Sequence, residues 1–158
     1  MLKFKNMFAL LFLVCVVACV DKVFTDERDG KEYRYAKLGT QIWMVDNLNY
    51  DIPERKCYDD AEEMCDTYGG LYDWETAKQV CPKGWHLPHE AEWHALAEFM
   101  QNKKADNYDF IAPELSGWWG SSVHPSDFEY SSYVNNDLKL LFTSPLELYF
   151  VRCVKITD

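Results

Sequence analysis

Polar and apolar residues alternate along KEYRYAK (31–37), which predicts a β-strand with Tyr33 and Tyr35 on one side. LGT supplies a turn, and QIWMVD (41–46), rich in β-formers, predicts a second strand, so the two read as a hairpin. From 46 to 70 the periodicity fades and turn formers accumulate, which predicts an irregular excursion. LYDWETAKQVC (71–81) reads as a helix capped by Asp73 and stopped by Pro82 and Gly84. A second helix is expected from about His89, because Trp93, Leu96, Ala97 and Met100 form an apolar stripe at helical spacing. Glu92 stands three residues after His89, as in the back half of a capping box. Lys103 and Lys104 lie near its far end, where the helix dipole favours cations. Residues 105–117 read as a loop containing Pro113 and Gly117. Short strands are expected at 118–123, 127–134 and 137–142. The last run, LELYFVRCVKI (146–156), is apolar on both faces apart from Glu147, Arg152 and Lys155, as a central strand would be. The chain shows no internal repeat and no low-complexity tract.

The first residues follow a different pattern. Lys3 and Lys5 precede MFALLFLVCVVA (7–18), an uncharged apolar run of twelve. That is too short to cross a hydrocarbon core of about 30 Å as a helix. A cationic start, a short apolar run and a small residue at its end predict a secretory signal over 1–18. VVAC places Ala18 directly before Cys19 and resembles a bacterial lipobox, although Val16 and Val17 depart from its usual residues and Cys15 offers a poorer alternative. Lipidation of Cys19 would hold the protein to a membrane face through its acyl chains. The expected location is the bacterial cell envelope, at the outer membrane or cell surface, with secretion as the alternative. Polar residues 19–29 read as a tether, leaving 30–158 as one domain.

Charge and cysteine content narrow the choice further. The formal net charge is −10, and removing 1–18 takes away two lysines and no acid, giving −12. Such a domain repels phosphate backbones, so nucleic acid is not an expected partner. Besides Cys15 and Cys19 there are four cysteines, Cys57, Cys65, Cys81 and Cys153. An even number in an exported chain predicts two disulfides, with three connectivities open. The economical pairing closes the polar loop through Cys57–Cys65 and joins the first helix to the last strand through Cys81–Cys153. Loop closure values these at roughly 2.5 and roughly 4 kcal/mol. No C-x-x-C pair is present, so a zinc cluster lacks its usual spacing.

Longer motifs then come into view. DGKEYRYAKLGTQIWMVDNLNY (29–50), CYDDAEEMCDTYGGLYDWETAKQVCPKGWHLPHEAEWHAL (57–96), WWGSS (118–122) and FVRCVK (150–155) resemble, in order, the motifs of the Fibrobacter succinogenes major paralogous domain. The resemblance runs from about Gly30 to Lys155. It implies a C-type-lectin-like α+β fold related to the formylglycine-generating enzymes, with two helices packed on a small, twisted antiparallel sheet. A helix-to-last-strand disulfide suits that fold and agrees with the Cys81–Cys153 pairing. Relatives commonly carry a long insertion before W-W-x-S-S, whereas only residues 101–117 fill that place here.

Candidate chemistry is sparse. His89 and His94 are five residues apart and share no helical face, His86 lies in the G-W-H-L-P turn as a structural residue, and His124 does not complete a set, so neither a metal nor another cofactor is expected. An oxidase related to the formylglycine-generating enzymes would need a reduced cysteine pair near the C-terminus, but only Cys153 is there and the disulfide uses it. No G-x-S-x-G elbow, P-loop or H-E-x-x-H occurs. Asp59, Asp60, Glu62 and Glu63 read as a solvated acidic loop rather than a calcium site. Aromatics remain: Trp43, Trp74, Trp85 and Trp93 sit in the motif framework, whereas Trp118, Trp119, Tyr130 and Tyr133 are candidates for a ligand surface, with one of the adjacent tryptophans expected to reach solvent. The expected role is a non-catalytic binding or surface-interaction module for a glycan or a protein. The alternative is an enzyme related to formylglycine-generating oxidases, and fold does not decide between them.

Overall fold

A computed structural model describes residues 22–103 and 117–155 of the 158-residue chain. They form an α+β domain with three α-helices, one 3₁₀ turn and two five-stranded sheets. The first sheet has the order β1 (Lys22–Thr25), β2 (Glu32–Leu38), β3 (Gln41–Met44), β10 (Val154–Lys155), β5 (Trp85–His86), and the second β4 (Leu71–Tyr72), β9 (Tyr149–Phe150), β6 (Gly117–His124), β7 (Asp127–Asn135), β8 (Leu140–Thr143). The expectation of two helices on one sheet is corrected to three helices and two sheets, largely antiparallel, with β6 and β9 parallel.

The hairpin of β2 (Glu32–Leu38) and β3 (Gln41–Met44) sits where the alternation put it, in register Leu38 against Gln41 and Tyr35 against Met44. Its two-residue turn requires positive φ, and Gly39 supplies it at 64°. β1 (Lys22–Thr25) pairs with β2, so these four residues are strand rather than tether; residues 19–21 lie outside the described residues. Phe24 anchors β1 by stacking on Trp85, with ring centroids 4.6 Å apart, and on Tyr33 at 5.6 Å.

The excursion 46–70 is more structured than expected. It contains a 3₁₀ turn (Tyr58–Asp60) and α1 (Glu62–Tyr68). Of the residues of α1 only Cys65 is buried, so no apolar stripe signals this helix in sequence. The Cys57–Cys65 disulfide closes the segment, with Cα atoms 5.0 Å apart. Leu71 and Tyr72, expected to open a helix, form β4, and α2 (Trp74–Val80) begins after Asp73. The Asp73 carboxylate accepts from the Thr76 N–H at 2.8 Å, which is the expected cap. α3 (Glu90–Lys103) follows β5 (Trp85–His86), and its stripe buries Trp93 and Leu96. Lys104 lies outside the described residues.

β6 (Gly117–His124), β7 (Asp127–Asn135) and β8 (Leu140–Thr143) form an antiparallel meander. The apolar tail is central, as expected, but it is two strands. β9 (Tyr149–Phe150) lies between β4 and β6 in the second sheet, and β10 (Val154–Lys155) between β3 and β5 in the first. Between them Val151 O accepts from Leu48 N–H at 2.8 Å and Cys153 O from Met44 N–H at 3.0 Å. One short segment thus serves both sheets, which explains why it is apolar on both sides.

Two apolar clusters hold the layers together. One gathers Met44, Tyr72, Val80, Trp85, Trp119 and Val151 around the Cys81–Cys153 disulfide, which joins the end of α2 to the last segment. The other sets Leu38, Leu96, Phe150 and Val154 around three indoles. There Trp43 and Trp93 lie 4.8 Å apart, and Trp93 and Trp118 6.3 Å apart. Among the described residues no helix is long and apolar enough to cross a membrane.

Candidate binding cleft

A buried polar hub stands where the two sheets meet. Arg152, between β9 and β10, is 1% exposed. Its Nε and Nη2 donate to Asn47 Oδ1 at 3.1 and 2.7 Å, and its guanidinium lies 5.0 Å from the Trp118 ring centroid. The same Asn47 oxygen accepts from Trp118 Nε1 at 2.7 Å. Asn47 Nδ2 in turn donates to Tyr68 O at 2.7 Å, which ties the hub to the end of α1. Burial pulls the Arg152 guanidinium down to about 9, with the Asp46 charge opposing and the Arg34 charge adding to the shift, so it remains charged at neutral pH.

Gly69 makes room for this arrangement. It ends α1 at φ 89°, and a Cβ there would come within 2.7 Å of Asn47 Cβ. Only glycine combines that dihedral with that approach.

Above the hub opens a cleft of about 420 Å³, between the start of β2, the segment after β3 and the end of α1, with Arg152 and Asn47 on its inner wall. Its rim carries both signs of charge. Arg34 forms a two-pronged pair with Asp46, Nη2 to Oδ1 at 2.6 Å and Nε to Oδ1 at 2.9 Å. Lys31 Nζ donates to Asn49 O. Asp66 and Thr67 line the opposite side, with half-buried Tyr68 beside them. Cations, carboxylates, an amide and a hydroxyl thus surround a space of small-ligand size, suited to a ligand that both donates and accepts hydrogen bonds.

The residues expected from sequence fall elsewhere. Cys57, Cys65, Cys81 and Cys153 form the two disulfides in the expected pairing. Trp118 and Trp119 do point to opposite sides of β6, but neither reaches solvent, since both are 0% exposed. The reason is that both faces of β6 are covered, one by each apolar cluster. Trp119 Nε1 is satisfied by Tyr72 O at 2.7 Å. Tyr133 is half-buried and stacked on Tyr149 at 4.6 Å. Cys19 and most of the segment 101–117 lie outside the described residues, as does the Tyr130 side chain. His86 is a hydrogen-bonded framework residue, as expected, with Nε2 2.9 Å from both carboxylate oxygens of Glu92. Asn47 was the residue that sequence reasoning passed over. The available signal was an amide between the apolar Val45 and Leu48.

The family profile described as the Fibrobacter succinogenes major domain matches residues 36–141, about two thirds of the chain. No curated protein and no solved structure matches.

Proposed function

The chain belongs to the Fibrobacter succinogenes major domain family, and we propose that it acts as an exported, lipid-anchored, non-catalytic binding module of the cell envelope. In this reading its domain is C-type-lectin-like, Cys19 carries the anchor, and the cleft beside Asn47 takes a hydroxyl-rich ligand of the saccharide class. The observation that carries the proposal is the lining of the cleft. Arg34, Asp46 and Asp66 offer charged donors and acceptors to hydroxyl groups, with Thr67 and Tyr68 beside them. The alternative, a relative of the formylglycine-generating oxidases, draws less support because the Cys153 sulfur is bonded to Cys81.

A glycan array probed with the disulfide-bonded protein tests the reading, alongside the variants Arg34→Ala and Asp66→Ala. Retention of a saccharide by the parent, weakened at least tenfold in both variants, is the expected result. Retention unchanged in both variants, or no retained glycan at all, refutes it. Titration of free thiols serves the alternative: a reactive Cys153 would restore the oxidase.

A further inference from the structure

The strand-turn-helix that carries CPKGWHLPHEAEW (81–93) brings three possible metal ligands together. We infer that His86, His89 and Glu92 form a binding site for one borderline divalent transition-metal ion of the zinc class. This site lies apart from the cleft, and nothing in the proposed binding function requires it.

Geometry is the first support. His86 closes β5 and is held in place by pairing with Val154 of β10. His89 directly precedes α3, and Glu92 stands in the first turn of that helix. One ligand atom from each, an imidazole nitrogen of either histidine and a Glu92 oxygen, lies within 4.8 Å of the other two. His86 Nε2 is 2.9 Å from the carboxylate, and His89 Nδ1 is 3.4 Å from Glu92 Oε2. A tetrahedral ion with bonds of about 2.0–2.1 Å wants neighbouring ligands about 3.3–3.5 Å apart. The two contacts to Glu92 lie within about half an ångström of that spacing, and the imidazole nitrogens of His86 and His89, within 4.8 Å of each other, can close on an ion by rotation of the exposed His89 ring.

The surroundings agree. Glu92 Oε2 also accepts from the His89 backbone N–H at 3.0 Å, so the carboxylate is oriented before any ion arrives. Side-chain exposure rises from 11% for Glu92 through 33% for His86 to 56% for His89, so one side of the site opens to solvent. That leaves a fourth position for water or an incoming ligand atom. The positive end of α3 works against a cation with about half a charge, but Glu90 and Glu92 bring two full negative charges to the same turn. Two imidazole nitrogens and one carboxylate suit zinc, cobalt, nickel or copper, not calcium or magnesium, which take oxygen ligands. The other cluster of similar composition, Cys57, Glu62 and Cys65, is closed to metal because its sulfurs are bonded to each other.

Histidine spacing along one helix could not reveal this site. His86, His89 and Glu92 follow at intervals of three, a spacing that brings neighbours to one face only on a continuous helix, and only Glu92 lies within one. They converge because the first is on a strand, the second in the turn and the third on the helix.

The test is titration of the disulfide-bonded protein, free of affinity tags, with Zn²⁺ by calorimetry and with Co²⁺ by its visible d–d absorption. One equivalent of each is expected to bind. His89→Ala should weaken binding at least tenfold while leaving the circular dichroism spectrum unchanged, because this ring is exposed. His94→Ala should bind as the parent does, since His94 pairs with Glu90 at 3.4 Å and is not among the three converging ligands. Absence of stoichiometric binding would overturn the inference. So would parental affinity in His89→Ala, or a loss in His94→Ala as large as that in His89→Ala.

Discussion

Asn47 ties both sheets and the end of α1 to one buried amide, and Asn47→Leu tests what that amide is worth. The substitution keeps the approximate shape and removes both functions of the amide. Its oxygen accepts from Arg152 Nε, Arg152 Nη2 and Trp118 Nε1, and its nitrogen donates to Tyr68 O. Counting the two guanidinium contacts as one charged hydrogen bond of about 2 kcal/mol, and the indole and carbonyl contacts as about 1 kcal/mol each, the loss comes to roughly 4 kcal/mol. The cost of breaking a buried pair that contains a charge, about 3–5 kcal/mol, falls in the same range. Against a total stability of about 5–15 kcal/mol this is a large fraction. At about 2–4 °C per kcal/mol, the melting temperature should fall by roughly 8–16 °C. Urea unfolding of the oxidised protein, followed by tryptophan fluorescence, measures it directly, with an unchanged m-value as the sign that the unfolded state is not the cause. Asn47→Asp is the informative companion. It retains the acceptor and places an anion against Arg152, while exchanging the donor to Tyr68 O for a carboxylate oxygen that repels it, so it should lose less than Asn47→Leu does. A loss below about 1 kcal/mol in Asn47→Leu, or a larger loss in Asn47→Asp, would refute the reasoning.

Three further outcomes are expected. Removing the Cys81–Cys153 bridge as a double alanine variant should cost about 1.5–2 kcal/mol more than removing Cys57–Cys65, because the bridged residues are 72 apart rather than 8; equal losses in denaturant titration would contradict that. Burial raises the Tyr33 hydroxyl to about 12 and Tyr72 further still. A phenol whose folded pKa lies above its unfolded value of about 10 contributes stability that is intact below pH 10 and lost as the pH rises towards 12. Unfolding free energies across that window should therefore fall by on the order of 2 kcal/mol or more, with a shallower fall in Tyr33→Phe, and a flat profile would remove the claim. Cys19→Ser should move the protein from the membrane to the soluble fraction of cells; unchanged fractionation would end the lipid-anchor proposal.

Much of the fold was legible because its signals are local. Alternation and Gly39 mark the β2–β3 hairpin, Asp73 and Pro82 bracket α2, and Trp93 with Leu96 mark α3. Glu92 reaches back to the His89 N–H as its spacing foretold. What was missed lacks such signals. α1 buries only Cys65, and its place depends on the disulfide ring and on Gly69. β1 is four residues long, and Phe24 stacks on two rings, one of them about sixty positions downstream. Trp118 and Trp119 were misplaced for a related reason. Alternation along a strand says that neighbours face apart, but it does not say whether one of those faces meets water.

The sequence by itself determined that four cysteines could form two bridges, the central position of the tail and the outline of the hairpin and two of the helices, because composition, periodicity and capping can be read without knowing which distant segments meet. The tertiary structure alone decided that the tail divides between two sheets, that Asn47 binds Arg152 and Trp118 from 105 and 71 residues away, and that His86, His89 and Glu92 face one another. Those relations depend on which surfaces packing brings into contact, and a polar group removed from water must take whatever partner that packing provides.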